Sequence, residues 1–310
     1  MKKLLLLAIL LVFSCSSDHE NQYERPIVIY TDPIDPTPDG NGDNSNSLPE
    51  WTSIPDINFE NELISQGIDD VVDGRVLTAN ISSLINLKLE HTNISDATGI
   101  ENFVSLEFLS MWDNPITTID VTKNIALKIL GLGECPLNTV DLSKNTELIE
   151  IDFQGDSSRN NDESYPYGKT LGMTSLDLRH NLKMEKIFIW CNRLTSLDVT
   201  MLSNLTTLWL GNSSSGPTGG NYIKRLDLTG NPKLETFIAE GGSYEYIDAR
   251  GAGASNPWTI MKNVALNRNA ALTSVKVSKL AYINQVNTVT NQNATGNIRW
   301  RYDAHTILSE

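Results

Sequence analysis

One motif returns along this chain at nearly constant intervals. From Leu106 to Asn124 it reads Leu-x-x-Leu-x-Met-x-x-Asn-x-Ile-x-x-Ile-Asp-Val-x-x-Asn, and the frame restarts at Leu127, Leu148, Met184 and Leu205. Where no extra residues intervene the step is 21 residues. A period in this range specifies a solenoid, because one unit cannot bury its apolar face alone and must stack on its neighbours. Such an architecture argues against an enclosed active site.

The frame opens with Leu84, Leu87 and Leu89, and further copies start at Leu234 and, in the last position, at Leu272, Val275 and Val277. Within each copy the Leu-x-Leu alternation has period two and predicts a short strand, the strands stacking in parallel into one curved sheet. The second segment, at Ile119-Asp120-Val121, Val140-Asp141-Leu142, Leu176-Asp177-Leu178, Leu197-Asp198-Val199 and Leu226-Asp227-Leu228, also reads as extended and lines the opposite wall. Its recurring aspartates fit turn-capping roles, accepting from nearby backbone N–H groups, or a place facing solvent. Longer steps mark insertions near 154–172, 213–222 and 250–270. The first two follow the first strand of their repeats, so they leave along one edge of the solenoid.

Both ends of a solenoid need covering. Phe59, Leu63 and Ile64, at helical spacing after Asp56, predict a short helix inside an N-terminal cap over 50–83. The repeats occupy 84–279, and Ile298, Trp300 and Tyr302 belong to a C-terminal cap over 280–310. Few other helices are expected.

Ahead of the cap, Lys2 and Lys3 precede an apolar run from Leu4 to Phe13, too short to span a bilayer and typical of a signal peptide, here 1–14. It ends at Cys15 in a pattern that resembles a bacterial lipobox, whose cysteine carries lipid; an ordinary secretory signal with an incidental cysteine is the alternative. Residues 15–49 form a Pro-, Gly- and Asn-rich tether without the apolar content to order itself. The acidic residues after Cys15 are similar to surface-export tags of Bacteroidetes lipoproteins. The net charge of −14 disfavours nucleic acid as a partner.

Ile-Pro-Asp-x-Asn-Phe-Glu at 54–60, Asp-Gly-x-Val-Leu-Thr-Ala-Asn-Ile at 73–81 and the repeats that follow resemble leucine-rich repeat lipoproteins of Bacteroidetes and flavobacteria, with internalin-like architecture. The resemblance implies a leucine-rich repeat solenoid, binding rather than catalysis, and a lipid-anchored place in the outer membrane, exposed at the cell surface. It also implies that Cys135, standing where the preceding repeat has Asn114, turns inward to bond backbone groups. Cys135 and Cys191 lie two strands apart, about 10 Å, beyond disulfide reach, so both are expected to be free thiols.

The residues between and after the buried leucines point out from the sheet. One outward column reads Lys88, Ser110, Gly131, Asp152, Phe188, Trp209, Ile238 and Lys276; the next reads Glu90, Trp112, Gly133, Gln154, Trp190, Gly211, Glu240 and Ser278. Four large aromatics, Trp112, Phe188, Trp190 and Trp209, stand in these columns. Each carries roughly 150–250 Å² of surface, enough together for a patch that is no longer incidental. Two arrangements suit it: an open platform for a protein, peptide or glycan, or a strip covered by the insertion holding Tyr165 and Tyr167. Asp152, Glu240 and Glu134 supply an acidic rim that favours neutral or cationic ligands, with Tyr222 beside it.

Asp69 to Val76 echoes a calcium loop but lacks its third ligand and its closing glutamate, so a turn is the better account. No phosphate loop, nucleophile elbow or zinc helix is present, no cofactor is expected, and the histidines His19, His91, His180 and His305 are scattered. The sequence therefore points to a macromolecule-binding surface lipoprotein, such as an adhesin. The alternatives are a structural accessory subunit of an outer-membrane uptake complex, docked on its transporter, or a polysaccharide hydrolase.

Overall fold

The computed structural model describes residues 48–155, 172–211, 221–252, 263–277, 299–302 and 306–309. All lie within the compact unit Pro38–Glu310. The signal segment, Cys15, most of the tether, Tyr165 and Tyr167 fall outside the described residues.

The N-terminal cap combines an antiparallel hairpin, β1 (Trp51–Ser53) with β2 (Arg75–Leu77), and two helices, α1 (Ile57–Ser65) and the single turn α2 (Thr78–Ile81). Asp56 caps α1, its carboxylate accepting from the N–H groups of Asn58 and Phe59. Its other oxygen accepts from Ser95 and Asp96 of the first repeat, which fastens the cap to the solenoid. Phe59 and Leu63 point into the core and Phe59 stacks on Phe103 at 6.0 Å. The stretch after Asp69 is a turn held from below: one oxygen of the buried Glu60 accepts from the N–H groups of Asp73, Gly74 and Arg75.

Among the described residues nine short strands form the main sheet, in the order β3 (Asn86–Lys88), β4 (Phe108–Ser110), β5 (Ile129–Gly131), β6 (Glu150–Asp152), β7 (Lys186–Phe188), β8 (Thr207–Trp209), β10 (Thr236–Ile238), β12 (Asn263–Ala265) and β14 (Arg299–Arg301). Every pairing is parallel, and Leu87, Leu109, Leu130, Ile151, Ile187, Leu208, Phe237 and Val264 share one register. All eight are buried, as are the third-position residues from Leu89 to Leu266.

The returning segments make a smaller parallel sheet of β9 (Arg225–Asp227), β11 (Tyr246–Ala249), β13 (Ser274–Val277) and β15 (Ile307–Ser309). Only the later coils form strands here; the returns around Asp120, Asp141, Asp177 and Asp198 are irregular. Asp120, Asp198 and Asp227 each accept from the N–H and hydroxyl of a threonine two residues on, and Asp141 accepts from Ser143. Those bonds hold Asp120 and Asp198 below the usual carboxylate range.

Two differences from the sequence expectation follow. Leu272, Val275 and Val277 do not form the last strand of the main sheet: β13 belongs to the returning sheet, and the main-sheet strand of that coil is β12, which falls inside the expected third insertion. The same apolar alternation serves both walls, so period alone does not tell them apart. The segments at 299–301 and 307–309, expected in a cap, pair with β12 and β13 and continue both sheets.

Two asparagine columns tie coil to coil. In the first, Asn114, Asn192 and Asn269 each donate to carbonyls of their own coil and of the coil before, and accept a backbone N–H through the other side-chain atom. Asn221 fills this place after the second insertion. Cys135 fills it with a thiol, donating to the Met111 carbonyl at 3.1 Å; burial pushes that thiol up to about 12. In the second column, Asn124, Asn145, Asn181 and Asn231 are fully buried and donate to two carbonyls each of the coil before. Leu202 interrupts it.

Candidate functional site

At the end of six of the main-sheet strands the chain bends through a left-handed residue. His91, Asp113, Glu134, Cys191, Gly241 and Arg268 all carry φ between 51° and 69° at this place. Five of the six are not glycine, and the bend persists because the next coil holds it: the N–H of His91 donates to Trp112, that of Asp113 to Gly133 and that of Glu134 to Gln154. Pinned on both sides of the bend, the residues just before it project from the concave face in fixed register.

The first outward column runs Lys88, Ser110, Gly131, Asp152, Phe188, Trp209, Ile238 and then Ala265, rather than Lys276, which lies on β13. The second ends in Asn267; Ser278 lies outside the described residues. The expected register otherwise holds, with Ile187 and Ile189 fully buried beneath Phe188 and Trp190.

Phe188, Trp190 and Trp209 form one cluster. The Trp190 and Trp209 rings are 4.8 Å apart, and Phe188 meets Trp190 edge-on at 6.4 Å and Trp209 at 6.1 Å. The indole N–H of Trp209 donates to the Gly211 carbonyl at 2.6 Å, which fixes that ring. Phe188 and Trp209 are half-buried, whereas Trp190 is only 8 % exposed, so the open part of the strip is smaller than the sequence implied.

Trp112 stands apart, three strands away from β7. Its indole lies across Gly131 of β5 and Gly133 just beyond it: a Cβ on Gly133 would approach Cε2 of the ring to 2.4 Å, and one on Gly131 would lie 3.3 Å from Cδ1. The two glycines are the seat of this ring. Their pairing at alternate positions, opposite a tryptophan in the preceding repeat, is the trace this seat leaves in the sequence.

The acidic rim needs correction. Asp152 and Glu240 are 7 % and 1 % exposed, not rim residues. Outward register on the sheet does not determine what covers a side chain. Burial pushes the Asp152 carboxyl up to about 8, and Glu150, Glu134 and Glu90 oppose its ionisation further. Its hydrogen bonds come from Gln154, backbone N–H at 3.4 Å and side-chain amide at 3.3 Å. Nearby, Glu90 pairs with Lys88 at 2.9 Å and accepts from Ser110, and Glu150 pairs with Lys186 at 2.9 Å. Glu134 is half-buried and Tyr222 exposed.

The two long insertions are rooted beside the cluster. Gly155, where the first departs, sits against the Cys191 carbonyl, and its N–H donates to Trp190; Met173, just past its return, donates to Asn192. Gly211 and Asn221 flank the second. Among the described residues no group of three or more His, Cys, Asp or Glu could hold a metal ion. No described helix is long and apolar enough to cross a membrane.

No protein-family model matches the chain, and no curated protein matches it. Solved structures do. Internalin C2 from Listeria monocytogenes is similar over 75 % of this chain and 100 % of its own, at 18 % identity and a TM-score of 0.53. The functional domain of InlJ from Listeria monocytogenes is matched over 73 % of this chain at 21 % identity and a TM-score of 0.40. This chain spans 56 % of that domain. The leucine-rich repeat protein LIC12759 of Leptospira interrogans is matched over 73 % of this chain and 62 % of its own, at 14 % identity and a TM-score of 0.45. The likeness to internalin C2, joined to the register of the nine parallel strands, fixes the fold as a leucine-rich repeat solenoid.

Proposed function

We propose that this chain is a lipid-anchored surface protein that binds a macromolecular ligand, protein, peptide or glycan, on the concave face of its solenoid. The observation that carries the reading is the cluster of Phe188, Trp190 and Trp209 on adjacent strands, in outward register and with two of its rings half-exposed. Rigid aromatic side chains offer large contact area at little conformational cost, and a strand-per-coil sheet presents them in a fixed row. A catalytic reading has less support. The returning aspartates are occupied as turn caps, and Glu90 and Glu150 are ion-paired. The export signal and Cys15 support placement at the outer membrane, facing outward.

Binding, surface exposure and lipidation each test this. Peptide and glycan arrays probed with the chain and with its Trp190→Ala, Trp209→Ala double variant should lose their signal in the variant, while a variant at the returning wall, Arg179→Ala, should keep it; equal binding by all three overturns the concave-face reading. Protease shaving of intact cells should remove the wild-type chain from the surface, and Cys15→Ala should abolish lipid labelling. Co-purification of one outer-membrane transporter at constant stoichiometry, through the same aromatic variants, would make the chain a standing subunit of an uptake complex.

A further inference from the structure

We propose that the concave face between β4 and β7 receives an organic cation, an alkylammonium or guanidinium group, seated against Asp152 with an aromatic ring on either side. The inference deepens the binding reading above and rests on it for the choice of face. Asp152 stands in register between Gly131 and Phe188. On one flank the indole of Trp112 crosses β5, because neither Gly131 nor Gly133 has a side chain to hold it off. On the other flank stand Phe188 and Trp190, edge to face, with Trp209 behind them. A carboxyl is thus set between two aromatic groups on one continuous sheet.

Charge decides what suits such a place. Among the described residues no lysine or arginine pairs with Asp152: Lys88 is taken by Glu90 and Lys186 by Glu150. Its two bonds from Gln154 are long, at 3.4 and 3.3 Å, and neither brings a charge. An anion would meet Glu90, Glu134 and Glu150 as well as Asp152. A neutral sugar would stack on the rings and hydrogen-bond the carboxyl, but it brings no charge to balance a carboxylate. A cation uses both, since ring faces attract positive charge most strongly where water is excluded, and the carboxylate supplies the counter-charge. Asp152 is held protonated near neutrality by burial, so an arriving cation displaces its proton into solvent and no other reactant is needed. The charged groups facing it are Glu150, Glu134 and Glu90, with Lys88 and Lys186 behind the outer two.

The test is a tryptophan-fluorescence titration of the full chain with choline, acetyl-lysine amide, acetyl-arginine amide and dimethylbutanol, the neutral isostere of choline. At least one cation should bind about tenfold more tightly than the isostere, with release of a proton that calorimetry in two buffers reads out. Asp152→Asn should erase that preference while melting no earlier than the parent chain, and Phe188→Leu should weaken every probe. Choline as the tightest probe identifies a small quaternary ammonium; either amide as the tightest identifies a basic side chain of a polypeptide. No cation binding more tightly than the isostere, or a preference that survives Asp152→Asn, overturns the proposal. Any of these leaves standing the macromolecular reading, which is judged by the array signal and the paired tryptophan variant.

Discussion

The indole of Trp112 rests on Gly133 so closely that a methyl group there would stand 2.4 Å from Cε2 of the ring. Gly133→Ala should therefore lift Trp112 off the sheet. We expect a red-shifted emission component and a loss of about 1–3 kcal/mol, the usual range for forcing extra volume into a packed contact. Gly131→Ala, whose new atom would lie 3.1 Å from the Ser110 hydroxyl and 3.3 Å from the ring, should cost less. Unchanged emission in Gly133→Ala would show that the ring is seated elsewhere.

Asp152 makes stability depend on pH in a definite direction. Its carboxyl is raised from an ordinary value of 3.8 to about 8, so between those two points the unfolded chain sheds a proton that the folded chain keeps. Stability from this group is then fully present below about pH 4 and is lost progressively as pH rises to about 8. Asp152→Asn removes the titration. Its advantage over the parent should grow from pH 5 to pH 8, by on the order of 2–4 kcal/mol, read by urea denaturation at each pH. A constant difference across that window would mean the carboxyl ionises freely in the fold.

The second asparagine column uses only its donors. Asn145 gives its amide hydrogens to Val121 and Asn124, while its side-chain oxygen is buried without a hydrogen bond. Both carbonyls also accept backbone N–H groups, from Asn124 and Leu127. Leu202 shows the column tolerating an apolar member at one coil. Asn145→Leu should accordingly cost about 1–2 kcal/mol, whereas Asn145→Asp, which sets an acceptor against two acceptors, should cost about 3–5 kcal/mol. The reverse order in thermal melts would contradict the donor role.

Cys135 is the weakest member of the first column. Its thiol makes one 3.1 Å bond to Met111, where Asn114 in the coil before donates to three carbonyls and accepts from Ile94. Cys135→Asn should raise stability by about 0.5–1.5 kcal/mol. In the native chain this thiol, pushed up to about 12, should not react with a disulfide reagent at neutral pH until the chain unfolds. Rapid labelling of Cys135 in the folded protein would refute its placement.

The leucine frame made the solenoid and most of its outward columns legible, because a period-two strand with one buried wall admits only one register. Val264 and Leu266 are not distinguishable by pattern from Val275 and Val277, which show the same alternation eleven residues later, because the two sheets use identical chemistry. The left-handed bends at His91, Asp113 and Glu134 left no trace, since neighbouring coils, not glycine, impose them. The burial of Trp190, Asp152 and Glu240 was hidden for a different reason. Alternation assigns a side chain to a face and is silent on what lies over that face.

Phe188 and Trp190 leave from β7, the fifth strand of nine. Each asparagine bracket in the columns reaches only the adjoining coil, so a solenoid of this kind frays inward from its termini, one turn at a time. Fraying reaches the midpoint last, and the aromatic row keeps its geometry long after the outermost turns have begun to open.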